Sequence, residues 1–147
     1  MKNNSFRPFF LLCSLFIVAF LLNFFWESLH ALFLYTCCTS LLAFDFVKLI
    51  FIASLGDGMY IVLMYLLVAL FFKSLYWIFN LKKNNLFIFS LLGILLAIFI
   101  EIKGVYFLEK WSYSSLMPTL FGLGLSPLIE LTLTGLLTLF VVLKLMK

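Results

Sequence analysis

Four long apolar runs, separated by short segments that hold most of the charge, constrain this chain more than any motif it carries. They cover residues 9–26, 49–72, 86 to about 102, and about 125 to 143. Each is near the roughly twenty residues that carry a helix across a bilayer. Inside hydrocarbon only a structure that satisfies its own backbone hydrogen bonds can span, which for such runs means α-helix. With 66% of the 147 residues hydrophobic and 11% charged, nothing is left over for a separate soluble unit. The expected fold is therefore all-α: a polytopic membrane bundle of four transmembrane helices forming a single integral membrane domain over residues 1–147.

The third run is the shortest, with fifteen residues from Leu86 to Ile100 rising about 22 Å before Glu101 appears. Glu101 is thereby expected near an interface. Residues 31–44 are also apolar, but this stretch suits an interfacial or re-entrant segment better than a fifth span. Lysine and arginine placement decides between four helices and five, because short loops rich in these residues stay cytoplasmic. With four spans, Lys2, Arg7, Lys73, Lys82, Lys83, Lys144 and Lys147 share the cytoplasmic side, and only Lys48, Lys103 and Lys110 lie opposite. The expected location is the bacterial inner membrane, multi-pass, with both termini inside. The first run is too long for a cleaved signal peptide and no small-x-small pattern follows it. The net charge of +4 reflects this topology. No basic stripe interleaved with aromatics points to nucleic acid.

Topology also assigns each carboxylate a depth. Glu27, Asp57, Glu101 and Glu130 lie one per helix, all in the outer half of the bilayer. A carboxylate inside an apolar span is costly and is a functional candidate by default; Asp57, between Gly56 and Gly58, is the deepest example. Asn23, Glu27 and His30 follow at i, i+4 and i+7, on one helical face if the first helix continues past Trp26. Ser126, Glu130, Thr134 and Thr138 repeat every four residues, a polar stripe that belongs inside a bundle. Glu27, Asp57 and Glu101 are accordingly the candidate catalytic residues. Asn23, Trp26, Trp111, Tyr113 and Glu130 are the candidate substrate-binding residues.

Other chemistries find little support. Glu27-x-x-His30 has the spacing of di-iron bundles, but the chain contains one histidine, so a symmetric di-iron site is unavailable. A mononuclear site of Glu27, His30 and Glu101 is the remaining metal arrangement, and the overall expectation is no metal and no cofactor. Zinc-protease, deaminase and P-loop patterns are absent. Cys13 reads as a packing residue, and adjacent Cys37 and Cys38 form neither a framework nor a C-x-x-C motif. Trp26, Trp77, Trp111 and Tyr113 fall near helix ends, where amphipathic rings anchor at the interface. Ser126 and Pro127 fit the cap and first position of the fourth helix, which implies an ordered loop before it.

Taken together, Asn23-x-x-Trp26-Glu27, Gly56-Asp57, Glu101, Trp111-x-Tyr113-x-x-x-Met117-Pro118 and Ser126-Pro127-Leu128 give the chain a family likeness. It resembles a family of small uncharacterised multi-pass bacterial inner-membrane proteins, over most of its length and in the same order. In that pattern a glutamine often stands where His30 and Glu130 are found here, and a His-Cys pair where this chain has Ile52 and Ala53. The resemblance implies that Glu27, Asp57, Glu101, Trp111 and Tyr113 matter most, argues against metal, and brings no reaction.

Three functions compete on these residues. One is a membrane-embedded enzyme acting by acid/base chemistry on a lipid or isoprenoid-like substrate, since carboxyl groups in different environments can hold one proton donor and one acceptor. Another is a small proton-coupled carrier using Asp57 and Glu130, which would need a homo-oligomer. The last is an accessory or assembly subunit whose polar groups bind a membrane-protein partner. Membrane lipids are expected partners of all three.

Overall fold

The computed structural model describes residues 6–36 and 41–147. Four helices are long and apolar enough to cross a membrane: α1 (Phe6–Phe33), α2 (Ala43–Phe71), α3 (Lys83–Ile102) and α4 (Leu125–Leu145). A π-helical turn over Lys103–Phe107 extends α3. Lys2, Cys37 and Cys38, considered above, lie outside the described residues.

The helices run longer than hydropathy alone suggests. No glycine or proline interrupts residues 26–33, and Glu27 and His30 turn inward, so α1 continues two turns past Trp26. At the other side of the connection α2 already begins at Ala43. The two ends of the apolar stretch 31–44 thus belong to the spanning helices α1 and α2.

α1 packs on α2 and α4, and α4 packs on α3; the α2–α3 seam is the thinnest of the four. Polarity is inverted relative to a water-soluble bundle. Phe10, Leu21, Phe25, Leu70, Phe87 and Phe99 are exposed, while Asn23, Ser54, Glu101, Glu130, Thr134 and Thr138 are buried. An apolar exterior with polar groups turned toward one another is the arrangement hydrocarbon solvent favours. Together with the length of the four helices, it makes the chain an integral, multi-pass membrane protein.

The half of the bundle nearer the chain ends is a packed apolar core of Leu11, Leu15, Ile61, Met64, Tyr65, Val68, Phe89, Leu139 and Val142. A 3-10 turn at Trp77–Asn80 between α2 and α3 folds into it. Trp77 is therefore not an interface anchor. Its ring stacks on Tyr65 at 5.0 Å, and its indole N–H donates to the Tyr65 carbonyl at 3.3 Å. The Tyr65 hydroxyl donates in turn to the Leu75 carbonyl. Small residues bring α3 and α4 together here: a Cβ on Gly135 would lie 2.8 Å from the Phe89 ring, and one on Gly93 would lie 3.2 Å from the Thr132 Cα.

The opposite half is capped by the loop between α3 and α4. A two-residue hairpin joins β1 (Thr119–Leu120) to β2 (Leu123–Gly124), with Thr119 opposite Gly124 and Leu120 opposite Leu123. Both turn residues have positive φ, +51° at Phe121 and +78° at Gly122, as a type I′ turn requires. The Tyr106 hydroxyl donates to the Phe121 carbonyl at 3.1 Å and holds the turn against the π-helical segment. The loop is also tied to the end of α1. Tyr35 and Tyr113 form an antiparallel bridge, with the Thr36 amide on the Ser112 carbonyl at 3.1 Å and the Ser114 amide on the Leu34 carbonyl at 2.9 Å.

Candidate functional site

Beneath this cap the bundle is hollow. A cavity of about 660 Å³ is lined by all four helices, and every one of the four intramembrane carboxylates reaches it: Glu27 from α1, Asp57 from α2, Glu101 from α3 and Glu130 from α4. Their sequence positions imply a common depth, and the fold converts that depth into a common site. The cavity is bounded by α2 and α3, which pack on each other less than the other neighbouring helices do. Gly56 contributes to the opening, since a Cβ built there would meet nothing within 4 Å. Gly58, two residues on, does the reverse: its missing Cβ lets α2 approach the Phe16 ring and the Phe20 backbone of α1.

The wall on the α2 side includes Leu49, Ile52 and Tyr60, all of them exposed on the outside of the bundle. The cavity is thus incompletely closed along α2. The other walls are Ala97 and Ile100 of α3, Ala31 of α1, and Pro127 and Leu131 of α4; Tyr35, Lys110 and Trp111 form the roof. The chamber is apolar over most of its surface, with four carboxylates, two phenols and one ammonium at defined points.

Local structure holds several of these polar groups. Glu101 is buried because the loop folds over it: the Tyr113 hydroxyl donates to its Oε2. Burial, then the adjacent Glu101, push the Tyr113 phenol well above its ordinary range, so it remains a donor. Tyr35 is pushed up likewise, first by burial and then by Glu101, Glu27 and Glu130. Trp111 reaches the roof because Gly104 has no side chain; a Cβ there would fall within the indole ring. The π-helical turn sets this geometry, re-aiming the chain after Glu101 so that Trp111 returns over Gly104. Tyr113, Met117 and Pro127 close around Gly124, where a Cβ would lie 2.9 to 3.1 Å from all three.

The α1–α4 wall is the most polar. His30 and Glu130 are 3% and 4% exposed, and the His30 Nδ1 lies 3.6 Å from Glu130 Oε2. His30 Nε2 pairs with Ser126 Oγ at 2.6 Å. Ser126 therefore does not cap α4: that helix begins at Leu125 after Gly124, without a side-chain cap, and Pro127 falls within its unsatisfied first turn. Glu27, His30 and Glu130 each place one side-chain donor atom within 4.8 Å of the others.

Of the expected substrate-binding residues, Trp111 and Glu130 line the cavity and Tyr113 stands behind Glu101. Asn23 and Trp26 do not line it. Asn23 is fully buried one turn below, where its amide donates to the Ala19 carbonyl at 2.8 Å and its Oδ1 accepts from Thr134 at 3.0 Å. Trp26 packs edge-on against His30 at 5.4 Å. Tyr35, Tyr60 and Lys110 also reach the cavity and were not singled out above. Tyr35 was only partly readable: Glu27 and Ala31 share one face of α1, but Tyr35 lies two residues past the helix end and is placed by its bridge to Tyr113. No family model, curated protein or solved structure matches the chain.

Proposed function

We propose that this chain is a membrane-embedded enzyme that admits a lipid or isoprenoid-like substrate through the gap beside α2 and acts on it by proton transfer. The observation that carries the reading is a chamber of about 660 Å³ lined by one carboxylate from each helix and incompletely closed along exposed apolar residues of α2. A pocket that is mostly apolar with a few convergent polar groups is the usual form of a small-molecule site. Here its opening faces the bilayer.

Asp57 and Glu101 approach the chamber from opposite sides of the α2–α3 gap, with Glu27 on the α1 wall between them. Glu101 accepts from Tyr113, which fixes its carboxyl group at the chamber wall in position to take a proton from substrate. Asp57 has no hydrogen-bond donor or cationic neighbour of its own among the described residues and is the natural partner to deliver one. A proton leaves Asp57 for the substrate, Glu101 takes one from it, and passage of a proton between the two carboxyl groups resets the site. Trp111 and Tyr35 close the roof. The family likeness, the cytoplasmic placement of both termini and the bacterial inner membrane as location belong to the same proposal.

Asp57→Asn tests it. The variant should accumulate in the membrane at the wild-type level and retain a co-purifying hydrophobic molecule, while lipid extracts of cells expressing it lack a product found with the wild type. Identical lipid profiles, with a stoichiometric membrane protein co-purifying instead, would leave the accessory-subunit reading in its place.

A further inference from the structure

We propose that Glu27, His30 and Glu130 form a binding site for one divalent first-row transition-metal cation of the Zn²⁺ type. The inference goes beyond the acid/base reading and leaves Asp57 and Glu101 free for it.

Three observations converge on this corner of the chamber. The first is the ligand geometry. Around a tetrahedral ion with bonds of about 2.1 Å, neighbouring donor atoms are separated by about 3.4 Å. His30 Nδ1 and Glu130 Oε2 are 3.6 Å apart, and the third donor, from Glu27, lies within 4.8 Å of both. One rotamer adjustment of Glu27, which faces open cavity, completes the triangle.

The second observation is unsatisfied polarity. His30 Nδ1 is buried and has no hydrogen-bond partner, Glu130 Oε1 is buried and meets no N–H or hydroxyl donor, the facing Glu27 carboxyl being its only polar neighbour there, and both side chains are more than nine-tenths buried. A buried polar atom without a partner is costly and calls for an explanation. Hydrogen bonding between the two residues does not supply it, because 3.6 Å is too long. If Nε2 carries the imidazole proton toward Ser126, Nδ1 presents a lone pair to a carboxylate. If Nδ1 carries it, the proton points across a gap it cannot close. A single cation satisfies His30 and both glutamates at once, and its two positive charges balance two carboxylates in a low-dielectric wall.

The third is the supporting shell. Metal-bound imidazoles generally use their other ring nitrogen to hold a fixed partner, which sets the tautomer and orientation. Ser126 Oγ holds His30 Nε2 at 2.6 Å, and Trp26 and Tyr35 flank the ring edge-on at 5.4 and 5.9 Å. Glu27 and Glu130 line the chamber while His30 stands behind them, so the cavity is both the ion's entry path and the source of a fourth ligand. One imidazole with two carboxylates suits Zn²⁺, Fe²⁺ or Mn²⁺ better than the all-oxygen ions.

The test uses the full chain purified in detergent, stripped with EDTA, equilibrated separately with Zn²⁺ and with Mn²⁺, desalted and analysed for metal. The wild type should retain about one ion per chain, with nitrogen and oxygen scatterers at about 2.0 to 2.2 Å by X-ray absorption. Glu130→Gln and His30→Ala should each retain less than a tenth of that, and Glu109→Gln, on the exposed loop, the full amount. Ser126→Ala keeps every ligand and should weaken binding about tenfold or more by releasing the ring. A wild type that retains neither ion overturns the proposal, and so does retention that Glu130→Gln and His30→Ala leave unchanged. If those two variants do not fold, unaltered affinity in Ser126→Ala overturns it. Metal content is read with no substrate present, so the result is independent of the enzymatic reading.

Discussion

Two glycine-to-alanine substitutions measure the two halves of this bundle against each other. Gly135→Ala places a methyl group where the Phe89 ring already lies, with ring carbons 2.8 and 2.9 Å from the new Cβ. Ordinary contact begins at 3.4 Å, so the ring must retreat. Phe89 is fully buried and packs at 6.1 Å from Trp77, which is itself stacked on Tyr65, leaving no direction in which to move freely. Overpacking of this kind costs about 1–3 kcal/mol. Gly56→Ala adds the same methyl to a helix interior with nothing within 4 Å. Both variants gain the same helix propensity, about 0.5–1 kcal/mol, which cancels when they are compared. Gly56→Ala should therefore exceed Gly135→Ala in stability by about 1–3 kcal/mol. Reversible unfolding in mixed detergent micelles, followed by far-UV circular dichroism, gives the difference. Equal stabilities would refute the tight α3–α4 seam, and a destabilised Gly56→Ala would refute the cavity.

Thr134→Val leaves Asn23 Oδ1, fully buried, without its donor; interhelical hydrogen bonds in membranes are worth about 0.6 kcal/mol and at most about 1.7, and the same micelle titration should show a loss in that range. No loss would mean that the single Thr134 hydroxyl hydrogen goes wholly to the Glu130 carbonyl, which it also approaches at 2.8 Å. Gly104→Ala should expel the Trp111 indole from the roof and shift tryptophan emission to longer wavelength, with the helical signal unchanged; an unshifted spectrum would refute the packing of Trp111 on Gly104.

The architecture was legible because the bilayer imposes a length and a polarity that apolar runs display openly, and the inward stripe of α4 followed from simple four-residue spacing. Helix ends were less legible. Across residues 31–44 no turn-forming residue marks where α1 stops and α2 starts, and hydropathy cannot separate an apolar loop from an apolar helix. The carboxylates' shared depth was readable from topology, but which pairs face each other was not, since rotation about each helix axis depends on packing partners. Glu101 illustrates this: its place near a run's end suggests water, whereas the fold supplies a tyrosine and a covering loop. Trp77 shows the converse, a ring at a helix boundary that enters the core because a 3-10 turn carries it there. The juxtaposition of His30 with Glu130, a hundred residues apart, has no local signal at all.

The unequal filling of the two halves has a consequence for how the molecule opens. Apolar contacts concentrate around Tyr65, Trp77 and Phe89, whereas the loop end is spanned by a chamber and held shut by a few backbone hydrogen bonds between residues 34–36 and 112–114. Proteins open first where buried contacts are sparse. Amide exchange should accordingly be fastest through the cap and the adjoining turns of α2 and α3, while the chain-end core holds its register, so that the site's own lid is the least stable cooperative unit of the bundle.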